Sequence, residues 1–395
     1  MVHLKAKRIS SSIQFALAAL FVGLMLWLEL KHPFPKFRLA TFVLVFFLFV
    51  DLASIARGAT RNALVVLASL AFGVSVAEGV AGALPPRTVV NIERGWAVRQ
   101  PIMGWGPERA GTYHSEMRDT TDNSVIYATD YTFDSNLLRQ TVSAESGPTI
   151  VFFGDSFTFG DGVKNDETLP QVFADLTDRK LRVLNLALTG YSPQQFLREM
   201  ETGRFDRVIG PDPKLFVFLT APWHAERTSC KAYWTPHAPF YALKDGRVVY
   251  KGECNEGASL RLREWLEDSA AYRWLIEPWR HKVNHADVEL YVSVLEAAVK
   301  MAKEKYGVPT IVPYLRQPAQ YLQGTGFTDD AIMERLAKAG AIVIDATLQK
   351  EEDSGAAIWI RIDRHPTAYA NRLRAELIKT YIDQNMSNIL LSQAK

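Results

Sequence analysis

The first 84 residues of the chain alternate long apolar runs with short polar breaks, and the remainder does not. The runs SIQFALAALFVGLMLWLEL (12–30), LATFVLVFFLFVDLASIA (39–56) and ALVVLASLAFGVSVAEGVAGAL (63–84) each have the length of a helix that crosses a hydrocarbon core. Asp51 and Glu78 interrupt the second and third runs towards their ends, where a carboxylate reaches the interface at low cost. The first run follows Lys5, Lys7 and Arg8, as the apolar part of a signal peptide would. It lacks a small-x-small cleavage site, however, and two more apolar runs follow closely. The pattern predicts a membrane anchor over 1–86 built from three transmembrane helices.

From residue 87 the periodicity shortens. LPPR ends the third run, GWGPERAGTYHS reads as loop, and SVIYATDYTFDS alternates as a strand does. Residues 87–148 are therefore expected to form a small, mostly β lead-in that packs against the domain C-terminal to it. Over 149–386, short apolar strands alternate with amphipathic helices. The strands are TIVFFG (149–154), LRVLNLA (181–187), KLFVFLT (214–220), VPTIVPYL (308–315) and AIVIDAT (341–347). Such alternation predicts an α/β fold, a parallel sheet covered by helices on both faces. Functional groups in that fold lie beyond the carboxyl ends of the strands. Residues 222–283, which carry both cysteines and many aromatics, interrupt the pattern as an insertion between the third and fourth strands.

Charged residues make up 22% of the 395 and the net charge is +2, which excludes a strongly basic nucleic-acid binder or an acidic tail. With the N-terminus inside, Lys5, Lys7, Arg8, Arg57 and Arg61 face Lys31, Lys36 and Arg38 outside, a small bias in the positive-inside direction. Three spans then put everything after residue 84 outside the cytoplasm, on the periplasmic side of an inner membrane. Cys230 and Cys254 are the only cysteines, and YALKDGRVVY between them reads as a hairpin turning at Asp245-Gly246. In an oxidising compartment they would close a disulfide loop contributing about 3 kcal/mol, the alternative being two free thiols in a cytosolic protein.

FFGDSFTFGDG (152–162) ends the first strand of the α/β region in an acid, a serine and several glycines. Ser156 there is either a helix cap or a nucleophile, and a nucleophilic serine needs a base and a group that orients the base. His365, with Asp363 two residues before it in RIDRHPTAYANRL, follows the last strand and so falls on the same sheet edge. Taken alone, the pair is equally a surface Asp-x-His ahead of a helix. GDSFTFGDG resembles the first signature of the SGNH/GDSL hydrolases, NLALTGYSPQQ their second, and DRHP their last. The resemblance covers about 148–384 without the insertion. It implies a three-layer α/β/α, flavodoxin-like sheet and a Ser156–His365–Asp363 triad, with the backbone N–H groups of Ser156 and Gly190 receiving an oxyanion. No cofactor is implied.

The sequence departs from that family in two places. After the third strand the family usually has Gly-x-Asn-Asp, whose asparagine completes the oxyanion hole, whereas here the chain reads FLTAPWHAERTSC. His224 is the polar residue placed to substitute, with Arg227 either structural or a contact for an anionic substrate group. The last motif has one residue between acid and base where two are common; in an extended loop, side chains at i and i+2 still point the same way. Asn185, ending the second strand, reads as a turn former. His281 and His285 in HKVNH have the spacing of a zinc helix but lack its glutamate and a third ligand, so no metal site is expected. The resulting expectation is a membrane-anchored serine esterase acting on acyl esters, O-acetyl above all, of cell-envelope glycans or lipids. The alternatives are an O-acyltransferase fed by a membrane acyl-donor partner, and a non-catalytic glycan-binding scaffold.

Overall fold

In the computed structural model of the 395-residue chain, residues 11–34, 36–84 and 86–386 are described. Lys5, Lys7 and Arg8 lie outside the described residues. The chain begins with α1 (Ser11–Lys31), α2 (Phe37–Ile55) and α3 (Gly58–Ala83), followed by β1 (Thr88–Ile92), β2 (Val98–Gln100), β3 (Gly104–Gly106), β4 (Gly111–Asp119) and β5 (Val125–Phe133). Next come β6 (Thr149–Phe153), α4 (Ser156–Phe159), α5 (Leu169–Leu176), β7 (Arg182–Asn185), α6 (Pro193–Thr202), α7 (Asp206–Ile209) and β8 (Pro213–Phe218). Between β8 and the next sheet strand lie α8 (His224–Thr228), β9 (Pro239–Lys244), β10 (Arg247–Glu253), α9 (Gly257–Glu267), α10 (Ala270–Leu275), α11 (Glu277–Arg280) and α12 (His285–Tyr306). The chain closes with β11 (Thr310–Tyr314), α13 (Asp329–Lys338), β12 (Ile342–Asp345), α14 (Gln349–Asp353) and α15 (Ala368–Asn385).

The chain divides into two units, one holding residues 1–85 with 257–280 and the other 86–256 with 281–395. In the first, α1, α2 and α3 are each long and apolar enough to cross a membrane, with mean hydropathy of 2.0, 2.1 and 2.0. Most of their apolar side chains face outward, which is stable only in a non-aqueous surrounding. Glu78 does not reach for an interface as its position in the run suggested. It is 2% exposed, and its carboxylate accepts hydrogen bonds from Ser269 Oγ (2.7 Å) and from the N–H groups of Ala270 and Ala271 (2.9 Å each). The start of α10, three of whose donors would otherwise be unsatisfied, compensates the burial of that charge. Part of the stretch read as one insertion thus belongs with the apolar helices.

In the second unit, five strands form a parallel sheet in the order β7-β6-β8-β11-β12, that is 2-1-3-4-5 along the chain. This is a flavodoxin-like order, with its switch point between β6 and β8. The period-2 pattern sends alternate residues to opposite faces. Val151, Phe153, Phe216 and Phe218 join a core with α6, α12 and α13, while Ile150, Phe152, Leu215 and Val217 join a second core with α5 and α15. The three-layer α/β/α fold predicted from the sequence is therefore present.

β1, β4 and β5 form an antiparallel sheet, and β2 pairs with β3. Part of GWGPERAGTYHS, expected to be loop, is strand, because β3 and the start of β4 find hydrogen-bonding partners in β2 and β5. Met103, Tyr113, Tyr131 and Phe133 of this region pack with Phe159, Ala187, Leu188 and Tyr191, at the carboxyl edge of the parallel sheet. Arg139 pins the same edge from within. It is 1% exposed, donates to the Gly160 and Val163 carbonyls (3.0 and 2.9 Å) and to Asn165 Oδ1 (3.0 Å), and stacks on Tyr131 and Phe159.

Cys230 and Cys254 form a disulfide that encloses the β9–β10 hairpin, which turns at Asp245-Gly246. Replacing both cysteines by serine should lower the unfolding free energy by about 3 kcal/mol. Chemical denaturation of the variant against oxidised wild type measures the difference.

Candidate active site

α4 begins at Ser156, directly after β6, and Asp155 is its N-cap. Asp155 Oδ1 accepts the N–H of Phe157 at 3.0 Å. Its other oxygen accepts from Trp223 Nε1 (3.0 Å), His224 Nε2 (3.2 Å) and Arg227 Nη1 (2.8 Å). Burial by itself raises this carboxyl, but the hydrogen bond from His224 and the charge of Arg227 hold it well below the ordinary carboxylate range. The local requirement for a cap places the acid before the serine, and the tertiary structure then ties that acid to the loop after β8.

Gly154, ahead of Asp155, has φ +151, and a Cβ there would lie 2.4 Å from Thr158 Oγ1. Only glycine fits where the chain turns this sharply from strand to helix. Gly190 follows β7 with φ +82, and a Cβ on it would meet Trp234 Nε1 at 2.8 Å. The peptide before Gly190 is fixed by Trp105, whose Nε1 donates to the Thr189 carbonyl at 2.9 Å. Tyr191 Oη in turn donates to the Trp105 carbonyl at 2.6 Å. Asn185 makes the turn after β7, its Oδ1 accepting from Ala187 N–H (3.2 Å) and its Nδ2 donating to the Thr158 carbonyl (3.3 Å).

Asp363 and His365 lie in the segment before α15. His365 Nδ1–H donates to Asp363 Oδ2 at 2.7 Å. The loop is not extended, as the i, i+2 argument assumed. Ile362 and Arg364 both have positive φ, at 69° and 66°, and Ile360 N–H closes a turn on the His365 carbonyl at 2.8 Å. A kinked turn brings acid and base together despite the missing spacer residue. Phe157 packs its ring against His365, with centroids 5.6 Å apart.

Ser156, Gly190, Arg227, Asp363 and His365 line one cavity of about 670 Å³, in the size range of small-molecule sites. Trp96, Trp105, Tyr127, Tyr233 and Trp234 make much of its wall. No hydrogen bond joins Ser156 to His365, nor does the backbone N–H of Ser156 or of Gly190 donate to any partner among the described residues. Two donors and one hydroxyl are thus left for a ligand.

His224 does not substitute for the absent asparagine. It is 0% exposed, Nδ1 bonds Thr220 Oγ1 at 2.8 Å and Nε2 bonds Asp155, so both nitrogens are committed away from the cavity. Burial lowers the pKa of the imidazole below its ordinary value, against the opposing pull of Asp155. Arg227 does reach the cavity, but it also cross-links loops through Asp155 and the Tyr191 carbonyl (3.1 Å). His281 pairs with Glu226, while His285 bonds the Thr325 carbonyl at 2.8 Å.

Sequence reading missed Asp161, although it stands within GDSFTFGDG. Thr189 Oγ1 lies 2.8 Å from each of its carboxylate oxygens, and Asp161 Oδ2 is 3.8 Å from His365 Nε2. Burial pushes the Asp161 carboxyl up to about 6, against the opposing pull of His365. Burial lowers the His365 imidazole, but the hydrogen bond to Asp363 and the charges of Asp161 and Asp363 outweigh it and raise its pKa above the ordinary value. The Gly-Asp-Gly that ends the motif was the available signal, a second acid, flanked by glycines, on the sheet edge that carries Ser156.

Among proteins of known structure, the chain is similar to GDSL and SGNH esterases. One is a member of the lipolytic G-D-S-L family from Veillonella parvula, 16% identical over 61% of this chain and 99% of that one, with a TM-score of 0.36. A second is the psychrotrophic esterase EstA from Pseudoalteromonas, 14% identical over 61% and 100%, TM-score 0.37. A third is AlinE4, an SGNH-hydrolase family esterase, 15% identical over 64% and 100%, TM-score 0.32. No family model and no curated protein matches the sequence. The strand order and the two-faced core, not these overlaps, carry the fold.

Asp155 contributes stability above the ordinary carboxylate range, and that contribution is lost only as pH falls towards its depressed folded-state value. Asp155→Ala, which leaves Arg227 without its counter-charge, should lower stability by about 3–5 kcal/mol at pH 7. Urea denaturation measures it, and the deficit should shrink in strong acid.

Proposed function

We propose that the chain is a membrane-anchored SGNH-type serine esterase that hydrolyses acyl esters, O-acetyl above all, on cell-envelope glycans or lipids. One observation supports this most: an Asp363–His365 pair, an uncommitted Ser156 hydroxyl and two undonated backbone N–H groups share a single cavity at the carboxyl edge of the sheet. In the proposed reaction His365 Nε2 takes the Ser156 proton as Oγ attacks the ester carbonyl carbon. Ser156 and Gly190 N–H groups receive the oxyanion, and Asp363 stabilises the imidazolium. Collapse breaks the ester C–O bond, and the leaving alkoxide takes the proton from His365. Water then gives a proton to His365 and attacks the acyl-serine, releasing the acid and restoring the hydroxyl.

Location rests on the three apolar helices, and the Cys230–Cys254 disulfide supports an extracytoplasmic setting, on the periplasmic side of an inner membrane. A second reading, O-acyl transfer to a polysaccharide with acyl groups delivered by a membrane partner, is favoured by the aromatic cavity wall. Such walls stack on sugar rings, so an acceptor hydroxyl would compete with water for the acyl-serine. Acetate release measured with and without an acceptor sugar separates the two.

A fluorophosphonate probe should label wild type and spare Ser156→Ala, with ester hydrolysis falling about ten thousand-fold or more in the variant. Labelling of neither protein would leave a glycan-binding scaffold as the better reading.

A pH profile tests Asp161. His365 must be neutral to act as base, so kcat/KM on a soluble aryl ester should rise through a value above 6.5. Asp161→Asn removes a negative neighbour of the imidazolium, and should move that limb about one unit towards acid. An unmoved limb would mean that Asp161 does not act on His365.

A further inference from the structure

The segment 257–280 leaves the α/β unit in mid-sequence and groups with the three apolar helices. Two polar clusters, centred on the buried Glu78 and Arg38, hold it there. Glu78 of α3 caps α10 through Ser269, Ala270 and Ala271. Arg38, 1% exposed at the start of α2, bonds Glu29 of α1 and also Asp268 at 3.1 Å, and it stacks on the Trp265 ring at 4.9 Å. Glu29, Arg38 and Glu78 lie at the α1–α2 connection and near the end of α3, so one end of the helix bundle carries the whole segment.

What the segment shows outward is apolar. Leu262, Trp265, Trp274, Leu275, Ile276 and Trp279 are all exposed, Trp279 at 78% and Trp274 at 56%. Three tryptophans and three aliphatic residues outward on 24 residues is a costly face in water. Tryptophan is the side chain enriched at the boundary between headgroups and acyl chains, where its ring is buried and its N–H stays wet. The segment's four arginines are balanced by four acidic residues, so attraction to anionic lipid does not explain the face.

We propose that α9, α10 and α11 form an interfacial element that lies in the headgroup–acyl boundary of the bilayer at the end of the bundle formed by α1, α2 and α3. The occupant of the exposed face is lipid, because the face is continuous with helices whose own apolar surface requires lipid. The inference rests on the membrane reading of those helices. The chain then meets the membrane twice, once before β1 and again in the middle of its α/β region. Burial of the aromatic face, and not charge, holds the second contact.

The test uses the full chain in phosphatidylcholine vesicles. Bimane is attached in turn to Trp279→Cys, Trp274→Cys, Glu264→Cys and Phe47→Cys, the native cysteines being protected as a disulfide. Shallow nitroxide lipids should quench the labels at 279 and 274 several-fold more than the label at 264, and aqueous iodide should do the reverse. Raising salt from about 0.1 M to about 1 M should leave this pattern unchanged. The label at 47, in the middle of α2, should be quenched by deep nitroxide lipids; failure there overturns the membrane reading itself. Quenching at 47 with iodide access at 279 and 274 equal to that at 264 overturns the interfacial element alone, as does salt-sensitive quenching at those positions.

Discussion

The carboxylate of Asp155 is the interaction on which the candidate site depends. It has no contact with solvent, and its two oxygens accept four hydrogen bonds, from the backbone of α4 and from Trp223, His224 and Arg227. A buried charge is tolerated only when it is surrounded in this way, and every donor is then held as firmly as the acceptor. Arg227 extends the tie to the Tyr191 carbonyl, so the loops after β6, β7 and β8 are joined at one point. His224 reaches further inward through Thr220 to Tyr291 of α12. The place of Ser156 is a consequence: it is the residue after the acid that everything else grips.

Around that point the edge of the sheet is finished by parts of the chain outside the α/β alternation. Trp105 from the antiparallel region holds the Thr189 peptide, Arg139 holds the Gly160–Val163 turn, and Trp234 from the disulfide-closed loop covers Gly190. The result is a cavity with an aromatic wall and a small polar floor. On that floor His365 stands between two carboxylates, Asp363 at Nδ1 and Asp161 on the side of Nε2. The first fits the role of orienting a base. The second lies 3.8 Å from Nε2 and favours the charged ring, so it bears on the pH at which that imidazole is neutral.

The apolar part of the chain follows a different physical rule. α1, α2 and α3 bury little of their surface, and the two charged side chains buried among their described residues, Arg38 and Glu78, both bind the segment 257–280. Buried charges in apolar helices are tolerated where ionic or hydrogen-bonding partners surround them. Here the pairing joins pieces of chain about 190 to 230 residues apart.

What the sequence by itself determined is what depends on near neighbours. Predominantly apolar runs of eighteen or more residues, alternation at period two and helical periodicity are local properties, and they placed three long helices and the five parallel strands. The strand-to-helix turn at Gly154-Asp155-Ser156 was legible for the same reason, since a cap and a glycine conformation are set within a few residues. What only the tertiary structure decided is which polar group meets which. His224 and Arg227, three residues apart, look alike as donors in sequence and both reach Asp155, yet the buried imidazole turns its other nitrogen to Thr220 while the longer guanidinium reaches the Tyr191 carbonyl and the cavity. Asp363 meets His365 through two left-handed residues that no spacing rule contains. Asp161, Trp105 and the 257–280 segment acquire their roles from contacts across dozens to hundreds of positions. Desolvation and hydrogen bonding act through space, so the chain order that encodes the elements does not encode those meetings.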